Sequence, residues 1–362
     1  MEMKKILIIS NKYQLFGGTE QVVNNEIKLL KKQGYSVELL EFDNNEIKQY
    51  GLIEKILFLI KSIYNYESKQ IIIKKIKTFN PDFIHLHNIY PLISLSIYHA
   101  MKNAKALIFQ SIHDHRLANL CPQGNAFRNN KSCNKCFKGN FFYSVIHKCI
   151  KKNYLLSLIY ALNIYFNRKF KIMEKSIDYA IVFNDYMKNN LIRSGFHSDK
   201  IFVKPHFTHN DDSLISKNKN SNYFLFLGAV SRHKGIFTLV NAFKIMKHKI
   251  ILKIAGNGDS IEILKEYIKE KRINNIEILG EIRDDNKKMS LISNSIALII
   301  PSESPETFCL SVIESFGQGV PVISSEIGSL KYLIKNNYNG YKFKTGSHTN
   351  LLEKINLIMK NK

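Results

Sequence analysis

The stretch from Pro301 to Ser324 reads PSESPETFCLSVIESFGQGVPVIS and sets two carboxylates, Glu306 and Glu314, across a loop-to-helix junction. The apolar run from Ile296 to Ile300 reads as a buried strand, and Pro301 and Pro305 break it. The pattern then predicts a helix from near Ser311 to the turn at Gly317 and Gly319. A helix start offers unpaired backbone N–H groups and the positive end of the helix dipole, which together suit a phosphate. One carboxylate before that start and one in its first turn are placed to accept hydrogen bonds from sugar hydroxyls on either side of the phosphate. The same residues admit a structural reading, in which Ser311 and Glu314 form a reciprocal capping box and Glu306 is merely exposed.

Working outward, strand-like runs alternate with amphipathic helical patterns, which predicts α/β architecture with parallel sheets. In the first half the expected strands are Lys5 to Ser10, Val37 to Leu40, Phe83 to His87, Ala106 to Gln110 and Tyr179 to Phe183. In the second they are Tyr223 to Leu227, Ile250 to Ala255, Ile276 to Leu279, Ile296 to Ile300 and Val320 to Ile323. Between the halves, HFTHNDDSLISKNKNS has no apolar period and reads as a linker. The expected organisation is therefore a Rossmann-like domain over residues 1–205, a linker over 206–222 and a second Rossmann-like domain over 223–362. Two such domains leave a cleft, and ligands of these sheets bind at the carboxyl ends of strands.

The glycine-bearing loops fall at such ends. Gly17 and Gly18 follow the first strand, Gly228 and Gly235 follow the first strand of the second half in LGAVSRHKG, and Gly256 and Gly258 follow another. Glycine lets backbone approach a phosphate closely, and Lys234 is placed to set its ammonium against a diphosphate leaving group.

At 362 residues the chain is long enough for two cores, and its 45% hydrophobic content is that of a globular protein. Lys and Arg number 53 against 30 Asp and Glu, a net charge of +23 that favours phosphate-bearing substrates, acidic lipid or nucleic acid. The first apolar run, Ile6 to Ile9, is too short for a signal peptide, and the charge-free stretch 154–166 is too short to span a bilayer. A cytoplasmic protein is the expectation. Between Lys148 and Lys175, basic residues interleave with Tyr, Leu, Ile and Phe, as in a helix lying on an anionic membrane. An amphipathic helix packed on its own domain reads the same way.

Four of the five cysteines, Cys121, Cys133, Cys136 and Cys149, lie close in a turn-rich insertion over about 116–150, the middle pair spaced as Cys-x-x-Cys. Four thiolates converging on one ion satisfy tetrahedral zinc, so one reading is a closed structural zinc site. The other is four free thiols in a loop. Cys309 stands apart. His85, His87, His113 and His115 follow two strands of the first half, where a histidine is more often structural than chemical.

The segments FGGTEQVV, PDFIHLHN, FQSIHDH, FLGAVSRHKG, LKIAGNGDS, NNIEILGE and PETFCLSVIESFGQGVPVISS together resemble the retaining glycosyltransferases of the GT-B fold, family four. That resemblance covers most of the chain and implies a nucleotide diphosphate sugar as donor. Glu306 would contact the donor sugar and Glu314 the ribose hydroxyls. The backbone of Phe308, Cys309 and Leu310 would sit by the diphosphate, and Lys234 would neutralise leaving-group charge. Gly17 and Gly18 would admit donor or acceptor, and His113 would line the reaction centre. The family uses no catalytic metal and proceeds by front-face substitution. A subset of it resembles the cysteine-rich insertion, which favours the zinc reading. Many members act on lipid-linked oligosaccharides, which adds a glycan or lipid-linked acceptor, surface-polysaccharide synthesis and the inner face of the plasma membrane to the expectations. The chain departs from the family at Ala229, where Arg is usual and Arg232 would have to substitute, at Cys309, where Gly is common, and at Lys331 and Tyr332, where Pro and Glu are usual. It also stops at Lys362, before the helices with which relatives usually continue. Two other classes share some of these features. A nucleotide-sugar epimerase needs no acceptor, and a basic zinc-containing nucleic-acid binder leaves the two glutamates unexplained, so no nucleic-acid partner is expected.

Overall fold

The computed structural model describes residues 3–13, 17–208, 222–248 and 250–360. In the first sheet β1 (Lys5–Lys12), β2 (Ser36–Asp43), β3 (Phe83–Leu86) and β4 (Leu107–Ser111) lie with β7 (Tyr179–Val182) and β8 (Ile201–Val203), while β5 (Phe127–Arg128) and β6 (Lys131–Ser132) form a separate small hairpin. The second sheet holds β9 (Tyr223–Leu227), β10 (Ile251–Ala255), β11 (Ile276–Gly280), β12 (Leu298–Ile300), β13 (Val322–Ser325) and β14 (Gly340–Phe343). Strand pairing is parallel throughout both sheets.

The cores explain why these strands read as continuous apolar runs. In β1, Leu7 and Ile9 enter one cluster with Ile72, Ile84 and Ile108, while Ile6 and Ile8 pack against Val23 of the helix Gly18–Lys32 on the other face. In β9, Phe224 and Phe226 pack with Leu239 and Phe243, and Tyr223 and Leu225 with Val312 and Leu330. A parallel sheet covered on both faces buries successive side chains, so the period-2 alternation of a half-exposed strand is lost. Each such Ile or Leu contributes roughly 1.5–3 kcal/mol on burial, which holds the register.

The strand orders are β2-β1-β3-β4-β7-β8 and β11-β10-β9-β12-β13-β14. The order reverses beside β1 in the first sheet and between β9 and β12 in the second, and ligands of open α/β sheets bind outside the carboxyl ends at that switch. The chain divides into two compact units, Met1–Ala126 with Asn134–His206, and Phe127–Cys133 with Phe207–Lys362. Of the expected linker, residues 209–221 lie outside the described residues.

Two edge strands, β8 and β14, escaped the sequence reading. Both are short, and Phe202 and Val203 of β8 point outward, so neither builds a long apolar run. The capping-box reading of Ser311 is overturned. The helix is Leu310–Gly317, Cys309 precedes it with φ of 81°, and Ser311 lies inside its first turn. A β-substituted residue is strained at such a φ, which accounts for the preference for glycine there.

Candidate functional site

In the second unit the loops after β9 and β12 meet at the switch point. Gly235 closes the first of them with φ of 72°, and a Cβ there would lie 1.8 Å from the carbonyl oxygen of Pro301. Only glycine permits that approach. The contact sets Lys234 beside Glu306, Nζ to Oε1 at 2.7 Å. Ser302 donates its hydroxyl to the same carboxylate oxygen. The backbone of His233 accepts from the N–H groups of Glu303 at 2.9 Å and Ser304 at 3.1 Å, which ties the two loops together. On the far side Ser329 donates its N–H to the Glu306 carbonyl at 3.0 Å and its hydroxyl to the Phe308 carbonyl at 3.1 Å.

Burial works against the charge of Glu306, but the Lys234 ammonium and the Ser302 hydrogen bond win and hold its carboxyl below the usual range. Lys234 answers with an upward shift: burial opposes its charge, and Glu306 more than restores it. The pair is therefore ionised. His233 is held down by burial and by the neighbouring Lys234. Burial and Glu306 push the Cys309 thiol up to about 11, so it stays protonated at neutral pH.

Glu314 lies on the first turns of the helix Leu310–Gly317, itself buried. Its carboxylate takes the Lys288 ammonium at 2.9 Å, and Asp285 approaches the same ammonium at 2.9 Å. Burial lowers the Lys288 pKa, yet Glu314 and Asp285 raise it above its ordinary value. Lys288 was not foreseen, because nothing in its own helix, Asp285–Ser293, singles it out. The helix Leu310–Gly317 begins just after Cys309, which sets the positive end of its dipole beside Phe308, Cys309 and Leu310. Arg232 does not join Lys234: its guanidinium lies on the Phe237 ring, 4.6 Å from the centroid. Loops after β9 and β10 also pack backbone to backbone, since a Cβ at Gly256 would lie 1.8 Å from the Gly228 carbonyl oxygen.

In the first unit Gly17 caps the helix Gly18–Lys32, and Glu20 turns back to accept from the N–H groups of Gly17 at 3.0 Å and Tyr13 at 2.7 Å. The structure gathers His85 and His87, at the end of β3, with His113 after β4. His87 Nδ1 lies 2.9 Å from His113 Nε2, and His85 Nε2 lies 2.9 Å from Ser111 Oγ. Glu26 faces both His85 and His87 and takes the ammonium of Lys204. The His113 ring stacks near that of His206 at 5.9 Å. Burial, with His87 and His206 beside it, holds the His113 pKa well below the ordinary histidine value. His115 packs instead on Phe137 and Tyr186. Sequence reasoning singled out His113 and missed Glu26, Lys204 and His206. The available signal was the His-x-His spacing, which puts both rings on one face at a strand end.

The four-cysteine set is not assembled. Among the described residues, the one group of His, Cys, Asp or Glu with three ligand atoms all within 4.8 Å of one another is Glu26, His85 and His87. Cys136 points into a cluster of Phe141, Ala161 and Ile164. Cys121 is half-buried. Cys133 directly follows the β5–β6 hairpin. No disulfide joins any of them.

Residues 16–209 match the family described as Glycosyltransferase Family 4, and residues 209–362 match Glycosyl transferases group 1. The chain is 25% identical over 186 residues to an uncharacterized glycosyltransferase of Methanocaldococcus jannaschii, covering 51% of each chain. It is 32% identical over 108 residues to the D-rhamnosyltransferase WbpZ of Pseudomonas aeruginosa, covering 30% of this chain and 28% of that one. With the O-antigen chain mannosyltransferase RfbU of Salmonella typhimurium it shares 26% over 167 residues, 45% and 46% of the two chains. The matches thus span about half the length of these curated relatives or less. Among solved structures, a sucrose-phosphate synthase of Thermosynechococcus elongatus superposes with a TM-score of 0.70 at 17% identity, covering 99% of this chain and 90% of that one. Anabaena HepE in complex with UDP and glucose gives 0.67 at 16%, with the same coverage. These likenesses establish the fold, GT-B, with its two Rossmann-like units.

Proposed function

The chain belongs to glycosyltransferase family 4, and from that premise we propose that it moves a sugar from a nucleoside diphosphate donor to a glycan or lipid-linked acceptor with retention at the anomeric carbon. The observation that carries this reading is the pairing of Lys234 with Glu306 at the switch point of the second sheet, next to a helix start and the Glu314–Lys288 pair. Glu306, already ionised and braced by Ser302 and Ser329, accepts hydrogen bonds from the donor sugar. Glu314 accepts from the ribose. The N–H groups at Phe308 to Leu310 receive the diphosphate, and Lys234 offsets the charge that grows on the leaving group, an interaction strongest in the transition state. In the first unit, His113 contacts a substrate hydroxyl, and Gly17 and Gly18 leave room at the helix start. The chemistry needs no metal from these residues, because Lys234 and the helix start already supply the positive charge. Relatives that act on O-antigen chains, such as RfbU, support surface-polysaccharide assembly as the setting, and the UDP complex of HepE supports a nucleotide donor.

The test is nucleotide binding by thermal shift across UDP, GDP, ADP and CDP, followed by product analysis. A transferase raises its melting temperature with one nucleotide and consumes the matching sugar donor, with the product anomer unchanged from the donor. A nucleotide-sugar epimerase changes the free donor without an acceptor, and an absence of any nucleotide response sinks both readings.

Work at an anionic membrane surface is supported by a separate observation. The helix Leu52–Lys61 exposes Ile53, Leu57 and Ile60, and the helix Tyr154–Phe170 exposes Tyr154, Leu155, Phe166 and Phe170. Asn163 of the second donates to the carbonyl of Ser62 at the end of the first, at 3.1 Å, which joins the two. The buried side of Tyr154–Phe170, including Ile159 and Ile164, packs inward, so this helix is a core element with an exposed apolar edge. Among the described residues no helix is long and apolar enough to cross a membrane.

A further inference from the structure

The donor chemistry leaves unused a chain of buried groups in the first unit. Glu26 is 5% exposed and His87 is wholly buried. The two carboxylate oxygens of Glu26 have different neighbours: Oε1 takes the Lys204 ammonium, while Oε2 lies 3.2 Å from Nε2 of His87 and 3.4 Å from Nδ1 of His85. The opposite nitrogen of His87 faces His113, Nδ1 to Nε2 at 2.9 Å.

A neutral imidazole carries one donor and one acceptor, so a choice made at one ring passes to the next. Neither Glu26 Oε2 nor His87 Nε2 has an aligned hydrogen-bond partner. They meet as a carboxylate against a ring edge, out of water, where a lone pair on Nε2 would be repelled and an N–H attracted. We infer that Glu26 and His87 are positioning residues that fix the tautomer of His113: the proton of His87 is held at Nε2, its Nδ1 accepts from His113 Nε2–H, and His113 keeps its lone pair at Nδ1. This rests on the reading that His113 contacts a substrate hydroxyl, for which Nδ1 is then the acceptor. Lys204 keeps the arrangement polarised. The Lys204 ammonium at Oε1 offsets the burial of the Glu26 charge. A divalent metal among the same three side chains would require the opposite state, a lone pair at His87 Nε2, and would sit beside the Lys204 ammonium that repels it.

The substitution Glu26→Gln reverses the chain. Lys204 is a donor, so the amide oxygen must face it, and the NH₂ group then points at His85 and His87. His87 Nε2 becomes the acceptor, its proton moves to Nδ1, and His113 must accept at Nε2 and carry its proton at Nδ1. The experiment is imidazole nitrogen NMR of the full chain, with the His113 signals assigned by their loss in His113→Asn. Wild type and Glu26→Asp should show His113 protonated at Nε2, and Glu26→Gln should show it at Nδ1 with kcat/KM lowered about 10- to 100-fold. A wild-type spectrum with the proton at Nδ1, stoichiometric metal on His87 Nε2, or an unchanged tautomer in Glu26→Gln overturns the inference. The wild-type spectrum alone decides it where Glu26→Gln does not fold. Unimpaired turnover by His113→Asn would instead refute the substrate-contact reading and leave the tautomer result standing.

Discussion

Replacing Lys234 by Met keeps most of the side-chain volume and removes the cation that faces Glu306 at 2.7 Å. The Glu306 side chain is 12% exposed and that of Lys234 29%, so the pair is largely but not wholly withdrawn from water. Leaving one member of a buried pair alone costs about 3–5 kcal/mol, and the partial exposure of Lys234 places the expectation near about 3 kcal/mol. In a unit of this size that lowers the melting temperature by about 6–12 °C. The loss also depends on pH. In the wild type Glu306 titrates below its unfolded value of about 4.3, so its contribution is present above that value and fades as pH falls through the folded one. Without Lys234, burial dominates and raises the folded pKa above the unfolded one. The penalty in the variant is then largest at neutral pH, shrinks as pH falls, and is gone only well below about 4.3, where Glu306 is protonated in both states. Urea unfolding of wild type, Lys234→Met, Glu306→Gln and the double variant, at about pH 7.5 and about pH 5, measures the coupling directly. The expected coupling is about 2 kcal/mol or more at the higher pH and less at the lower. A coupling within about 0.5 kcal/mol of zero, or one that does not change with pH, refutes the ionised-pair account.

Glu314→Ala strands the buried Lys288 ammonium with the exposed Asp285 and should weaken nucleotide binding about 10- to 100-fold by calorimetry, so equal affinity would sink the donor assignment. Gly235→Ala drives a Cβ into the Pro301 carbonyl at a φ of 72° and should cost more than about 3 kcal/mol in urea unfolding, whereas a wild-type transition would mean the loops do not approach as described. Sedimentation with vesicles rich in anionic lipid should show binding that weakens with salt and is lost in Ile53→Glu/Ile60→Glu; no binding at low salt would leave the exposed apolar edge without a membrane role. Cys133→Ser should unfold within about 0.5 kcal/mol of wild type and release no metal, and loss of a stoichiometric zinc with unfolding would restore the four-cysteine site.

Much of this molecule is local in origin and was legible in the chain. The apolar runs of β1, β9 and β10 show as strands because parallel sheets covered on both faces bury consecutive residues, and the runs end at glycine loops because backbone must turn and approach there. Lys234, Glu306 and Glu314 stand out in the chain for a related reason: they lie in the loops, or on the helix turns, that follow strands the runs already mark. The partners were not visible. Glu314 meets Lys288 across 26 residues of sequence, Lys234 meets Glu306 across 72, and Glu26 meets Lys204 across 178. Cys136 shows the converse: its Cys-x-x-Cys spacing suggests a ligand, yet its side chain packs with Phe141, Ala161 and Ile164. Hydrophobic burial is nondirectional and leaves a periodic trace along the chain, so sequence alone determined the layers and the loops. Charge pairing and proton placement depend on a few ångströms between groups that are distant in sequence, and those distances exist only once the sheets and helices have packed.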